Sequence, residues 1–136
     1  MTQQTKTPSN VVPVLVAMLV CDVAVAEPTT GKKTLVGIFD RIRAAKFPTQ
    51  HPMSLYLKLT NAEGYYKTEI KFRQLKTGSV LAGASGELQA IDRLASVDMC
   101  IPFPPLLIPE SGRYDFQLWA NSMFLGSTVL DAELQQ

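Results

Sequence analysis

One histidine and two cysteines are all that 136 residues offer of the side chains that most often hold metals or relay protons to a nucleophile. There is no Cys-x-x-Cys pair and no cluster with zinc spacing. Any histidine-dependent mechanism would have to use His51, set between Gln50 and Pro52 in a segment that its prolines mark as an extended loop. The Gly-x-Ser-x-Gly elbow is also missing. Ser85, within Gly83-Ala84-Ser85-Gly86, has a loose likeness to it but lacks the strand–turn–helix context. Asp22, Asp40, Asp92, Asp98, Asp115 and Asp131 are scattered, so no carboxylate pair can be assigned, and no loop alternates Asp and Asn as a calcium site requires. Gly31-Lys32-Lys33-Thr34 looks briefly like a phosphate loop, but Ala26 stands where the first glycine belongs. The strand-like Leu35-Val36-Gly37-Ile38-Phe39 follows where a helix should start. Gly78-x4-Gly83 has no Lys-Ser or Lys-Thr after it. These gaps lead to the expectation of a non-enzymatic protein with no cofactor and no metal.

Charge of one sign is equally scarce. Thirteen Lys and Arg balance twelve Asp and Glu, for a net charge of +1, and no block of like charge occurs. Such a chain has no field with which to attract nucleic acid or an acidic membrane surface. With 46% hydrophobic and 18% charged residues it is globular, and its length suits one domain with a core that needs no staples. Cys21 and Cys100 each lie in an apolar, strand-like run, so they read as buried, reduced thiols, although an oxidised pair is geometrically possible.

Only one long apolar run exists, Val11 to Ala26. Its end, Ala24-Val25-Ala26-Glu27, has the outline of a signal-peptide cleavage site. Pro13 and Asp22 interrupt it, and Lys6 is the one charged side chain ahead of it. Val20 and Leu19 occupy positions where a lipidated cysteine at 21 would need small residues. A membrane-spanning helix is excluded because Asp22 leaves the run too short. Six valines between Val12 and Val25 favour a first strand over Val12 to Ala26, buried on both faces. That reading gives a cytoplasmic protein. Export is the alternative, should residues 1–26 be a signal peptide.

What the sequence has in abundance is alternation. Arg113 to Ala120 and Met123 to Leu130 alternate about Asn121-Ser122, an antiparallel hairpin with Tyr114, Phe116, Leu118 and Ala120 on one face. Tyr114, just after the Pro109–Gly112 turn, stands where sandwiches place a tyrosine corner. A second hairpin joins Met53–Thr60, with Met53, Leu55, Leu57 and Leu59 inward, to a strand whose inner face is Tyr66, Thr68, Ile70, Phe72 and Gln74. Lys67, Glu69, Lys71 and Arg73 form its solvated outer row. Thr34 to Ile42 and Val80 to Ala82 read as strands. Arg41 to Lys46 suits one helical turn, and Glu87 to Leu94 fits either a short helix or extended chain. The proline-rich stretch Pro102 to Pro109 is too apolar for a free linker and should pack across one end of the sandwich. The sum is an all-β fold, a two-sheet antiparallel β-sandwich (immunoglobulin-like or C2-like) of seven to eight strands. Residues 1–10 are expected to form a flexible tail and residues 11–134 a single domain.

Cys21-Asp22, then Thr30-Gly31-Lys32-Lys33-Thr34-Leu35-Val36-Gly37-Ile38-Phe39-Asp40, then Phe47-Pro48, with the late Gly112-x-Tyr114-x-Phe116 hairpin, resembles a bacterial domain family of unknown function. The resemblance covers nearly the whole chain. It implies a small, stand-alone, mostly β protein in which Val11 to Ala26 belongs to the folded domain. With no activity assigned to the family, it carries over no catalytic residue. Asp22 and Asp40 would stand at fixed positions, where capping or bonding a turn suffices to explain them.

Three functions remain open. The first is a non-catalytic module that binds an unidentified protein partner through Trp119, which faces outward with Arg113, Asp115 and Gln117; Tyr56 and Tyr65 are lesser anchors. If Trp119 instead packs beneath the proline-rich stretch, that surface is lost. The second is a structural subunit of a homo-oligomer or filament, with sandwich edges pairing between copies. The third is a small-molecule or carbohydrate binder using Trp119 and Tyr56, weakened by the lack of polar residues around them.

Overall fold

The alternating runs become strands. The computed structural model describes residues 7–136, and among these it contains nine strands and no helix. They are β1 (Val14–Ala26), β2 (Lys33–Ile38), β3 (Arg41–Ala44), β4 (Thr49–Thr60), β5 (Gly64–Gln74), β6 (Val80–Ala90), β7 (Val97–Ile108), β8 (Gly112–Ala120) and β9 (Met123–Leu134). A four-stranded sheet in the order β2-β1-β4-β7 faces a five-stranded sheet in the order β3-β9-β8-β5-β6. All pairings are antiparallel except the parallel β3–β9. The chain is therefore a β-sandwich, with one or two strands more than the turn signals gave.

The core lies where the two inner faces meet. Met53, Leu55, Leu57 and Leu59 of β4 are buried against Tyr66, Ile70 and Phe72 of β5 and Tyr114, Phe116 and Leu118 of β8. Phe72 stacks on Tyr114 at 5.5 Å and meets Phe116 at 4.9 Å, while Phe103 of the other sheet reaches Phe116 at 5.4 Å. One aromatic row thus ties the sheets together. Tyr114 forms the expected corner: its hydroxyl donates to the Glu110 carbonyl at 2.6 Å.

Several local expectations give way to long-range pairing. The expected second hairpin is not one: β4 pairs with β1 and β7, while β5 pairs with β6 and β8. The Asn61–Glu63 turn thus carries the chain from one sheet to the other, and both inner faces still meet in the core. The Arg41–Lys46 segment is not a helical turn; Arg41 to Ala44 pair in parallel with Asp131 to Leu134, a partner that local sequence does not reveal. His51 lies not in a loop but in β4, which starts at Thr49, and Pro52 is accommodated at an irregularity between His51 and Met53. The strand that begins at Val80 runs on to Ala90, which resolves the ambiguous segment as extended; Leu88 is buried, whereas Ile91 and Leu94 project into solvent. Pro102, Pro104 and Pro105 do not cross an end of the sandwich but sit within β7, an edge strand, where a missing N–H costs no ladder bond. At the amino terminus, Pro8 bridges Tyr65, and the Ser9 amide donates to the Tyr65 carbonyl at 2.9 Å. Part of the expected tail is thereby fastened, and its residues 1–6 lie outside the described residues.

The apolar run is strand, as expected, but it is not buried on both faces. Val14, Val16, Val23 and Val25 are each about half exposed. Strand β1 pairs with β4 only through Cys21 and with β2 beyond it. Although β4 lies between β1 and β7, Lys33 of β2 reaches Asp98 of β7 at 3.0 Å. The β1–β2 hairpin therefore folds over the outer face of its own sheet, shielding Ala24 and Leu35 and leaving Val23, Val25, Val36 and Ile38 outward. Gly37 permits this with a φ of 69° and with Asp22 pressed against it, where a side chain would not fit.

Both cysteines are free thiols. Cys21 is opposite Ser54 and Cys100 opposite Tyr56, with β4 between them. Two interstrand spacings, about 9.5 Å, exceed the roughly 7 Å Cα separation that a disulfide spans. Burial raises the pKa of Cys21, aided by Cys100 and Asp22; burial likewise raises that of Cys100, against the pull of Lys33.

Candidate functional site

The outer face of the five-stranded sheet carries the most developed surface feature. Asn121 and Ser122 hold φ values of 47° and 65°, left-handed conformations that close a two-residue hairpin and match strand twist. Just beyond the turn the β8–β9 register shifts, so that Leu118 opposes Gly126 but Trp119 opposes Phe124. The two-residue turn itself sets Trp119 opposite Phe124, with rings 5.3 Å apart and inclined at 59°, and the bulge that follows displaces only Leu118 and the residues beyond it. The Trp119 indole N–H donates to Gln117 Oε1 at 3.3 Å, and the Lys71 ammonium lies 4.8 Å from the centre of the Trp119 ring. Lys71 is also 3.9 Å from Glu69. A cation over an indole contributes roughly 0.5–1 kcal/mol at an exposed site and fixes the ring plane.

Trp119 forms one wall of an open groove of about 590 Å³, with Lys67, Glu69, Lys71, Ser85 and Asn121 among its other lining residues. Asn121 fixes this end of the sheet. Its Nδ2 donates to the Ser9 and Tyr65 carbonyls at 3.2 and 3.1 Å, and its Oδ1 accepts the Lys67 amide at 2.8 Å. The groove thus has a wall at Trp119, with the half-exposed Phe124 packed against that ring, and lysine and glutamate side chains around it.

Farther along the same face the charges are consumed internally. Arg73 holds Asp115 through two bonds, 3.0 Å from Nε and 2.9 Å from Nη2, and Asp115 is only 3% exposed. Arg113 donates to Asp131 at 3.1 Å. Of the residues the sequence singled out, Trp119, Gln117 and Arg113 share this face, but Arg113 is at its far end in an ion pair. Tyr56 is not with them. It lies on the four-stranded sheet, its hydroxyl donating to Asp98 at 3.0 Å, with its pKa raised by burial and by that bond. Burial opposes ionisation of Asp98, yet the bonds from Lys33 and Tyr56 hold its pKa below the ordinary value. Trp119 is not beneath the proline-rich stretch, which belongs to the opposite sheet.

Sequence reasoning missed Phe124, Lys71 and Asn121. Phe124 had a signal in the sequence, since the two-residue turn at Asn121-Ser122 puts it directly opposite Trp119. Lys71 was one member of a solvated row. Asn121 was read only as a turn former, although an Asn with φ above zero next to two strands was available as a signal.

His51 offers little chemistry. It lies 3.8 Å from Asp22 and packs edge-on against Phe39 at 5.4 Å. Among the described residues, no group of three His, Cys, Asp or Glu side chains could hold a metal ion, and no helix is long and apolar enough to cross a membrane.

A family model described as a family of unknown function, DUF6941, matches residues 16–133. The chain belongs to this family. The matched span begins inside β1 and ends inside β9, so the DUF6941 unit is the whole two-sheet sandwich, with both the Trp119 groove and the folded-over β1–β2 hairpin inside it. No curated protein matches the chain.

Proposed function

We propose that this protein is a non-catalytic interaction module that docks a protein partner on the outer face of its five-stranded sheet, with Trp119 as the anchor. One observation carries the reading. Trp119, half-buried in the wall of a groove, packs on Phe124, which is half exposed, on a face where Arg73 with Asp115 and Arg113 with Asp131 are satisfied within the chain. Aromatic side chains of this kind supply large contact area at low entropic cost and dominate interface energetics. Lys71 and Glu69 beside the pair supply a polar rim of both signs. A carbohydrate platform is less well supported, because Tyr56 is on the other sheet and leaves Trp119 with Phe124 alone.

A cytoplasmic location is part of the proposal. Residues 14–26 pair with both β4 and β2, so cleavage after Ala26 would remove a sheet-forming strand and uncover the β4 edge. The two unpaired thiols fit a reducing compartment.

The test is a photo-crosslinking residue at Phe124, expressed in the cells that make the protein. A discrete adduct is expected, and Trp119→Ala should abolish it while unfolding within a degree or two of the unsubstituted protein. Loss of an anchoring tryptophan costs about 2 kcal/mol or more, some thirtyfold in affinity. No adduct, or one indifferent to Trp119→Ala, would refute the assignment.

A further inference from the structure

A two-sheet sandwich has four edges, and three of these are blunted in recognised ways. Strand β7 carries Pro102, Pro104 and Pro105, β3 has four residues with Arg41 and Arg43 among them, and β2 has six and includes Lys33 and the left-handed Gly37. Proline, shortness and inserted cations are the devices that stop unpaired backbone from recruiting another strand. Strand β6 has none of these. It runs eleven residues without proline, lysine or arginine, its one charge is Glu87, and it pairs with β5 alone.

Grooves flank this open edge on both faces. On the outer face a groove of about 320 Å³ is lined by Glu69, Lys71, Val80, Gly83 and Ser85. On the inner face a cleft of about 140 Å³ opens between β6 and β7, lined by Ile70, Ala84, Gly86, Met99 and Ile101 among others. An added strand projects side chains alternately to the two faces, so grooves on both sides of an unpaired edge are what such an addition occupies.

We infer that β6 pairs antiparallel with β6 of a second copy, joining the two five-stranded sheets into one ten-stranded sheet. The sequence of β6 suits itself as partner. With the two-fold axis at Ala84, Ser85 opposes Gly83 and Gly86 opposes Ala82, so residues directly opposite share a face across this stretch. Glu87 does not meet its own copy, and the bulge at Leu81 ends the regular ladder. The small residues Ala82, Ala84 and Gly86 of the incoming copy match the narrow inner cleft, and the half-exposed Val80 and the exposed Leu81 gain cover at both ends of the ladder. The contact is isologous and closes at two copies.

Light scattering after size exclusion, over a concentration series of the full chain, tests this. The expected result is a dimer that dissociates on dilution. Ser85→Lys, which sets two lysines on diagonal positions across the axis, should weaken it by about tenfold or more. Hydrogen exchange on the unsubstituted protein serves if that variant misfolds: amides of residues 80–90 should exchange more slowly in concentrated than in dilute solution. A monomer up to the solubility limit overturns the inference. So does a dimer that Ser85→Lys leaves intact, or one whose exchange protection falls elsewhere. Slow exchange confined to β6 on addition of a different strand-forming peptide, with the chain itself monomeric, would reassign the edge to that partner.

Discussion

Glu27 shows how much one turn can do at the residue level. Its carboxylate accepts from the Thr30 hydroxyl at 2.7 Å and from the Thr30 amide at 2.5 Å, and Thr29 adds to these, so its pKa falls to about 2. A lowered carboxylate pKa stabilises the fold above the ordinary carboxylate value, and that contribution is lost as pH falls toward 2. Thr30→Ala should therefore raise the Glu27 midpoint toward 4.5 in a carboxyl-resolved NMR titration; a midpoint left near 2 would remove the side-chain bond as the chief cause. The site obeys the same logic of single residues. Trp119 was legible because alternation sets it outward, and Phe124 could be read as its cross-strand partner from the two-residue turn. Gly126 opposite Leu118 could not, because one extra residue, Leu125, shifts the register there. Tyr56 was legible as outward-facing but not as belonging to another sheet.

Hairpins are the elements the sequence specifies best, and the β8–β9 turn shows where they fall short of ideal. Type I′ turns favour glycine at the second position, yet Ser122 carries a φ of 65° there. Ser122→Gly should relieve that conformation and stabilise the protein by several tenths of a kcal/mol to about 1 kcal/mol, read as a higher midpoint in denaturant with an unchanged slope. A lower midpoint would mean that the serine side chain contributes more than its backbone costs. Strand β3 marks the opposite limit. The extended run Thr34 to Ile42 breaks after Ile38, and nothing local marks Arg41-Ile42-Arg43-Ala44 as a separate strand of the other sheet, because its partner, Asp131 to Leu134, is about ninety residues away and parallel. The prolines of β7 misled for a related reason. Proline opposes strand only where its N–H would have been used, and whether a strand is at an edge is a property of the sheet.

For the whole molecule, stability rests on the aromatic row that joins the sheets. Phe116 is fully buried and touches both Phe72 and Phe103. Phe116→Ala should cost about 3–5 kcal/mol through lost burial and an unfilled cavity, visible as a lower denaturant midpoint. A loss below 1 kcal/mol would show that the two sheets re-close over the gap. The proposed Trp119 contact and the proposed β6 contact lie on one sheet but use different groups, side chains for the first and edge backbone for the second. Trp119→Ala should thus leave the oligomeric state unchanged.

The sequence by itself determined the fold class, the β8–β9 hairpin, and the inward sets at Met53–Leu59 and Tyr114–Ala120. Alternation and turn residues act over a few neighbours, so they can be read from neighbours. Tertiary structure alone decided which strands are edges, that β4 and β5 belong to different sheets, that the β1–β2 hairpin folds back to bring Lys33 to Asp98, and that Lys71 joins Trp119 while Tyr56 does not. These depend on register, bulges and the order of strands within a sheet, which are set by contacts between residues far apart in the chain.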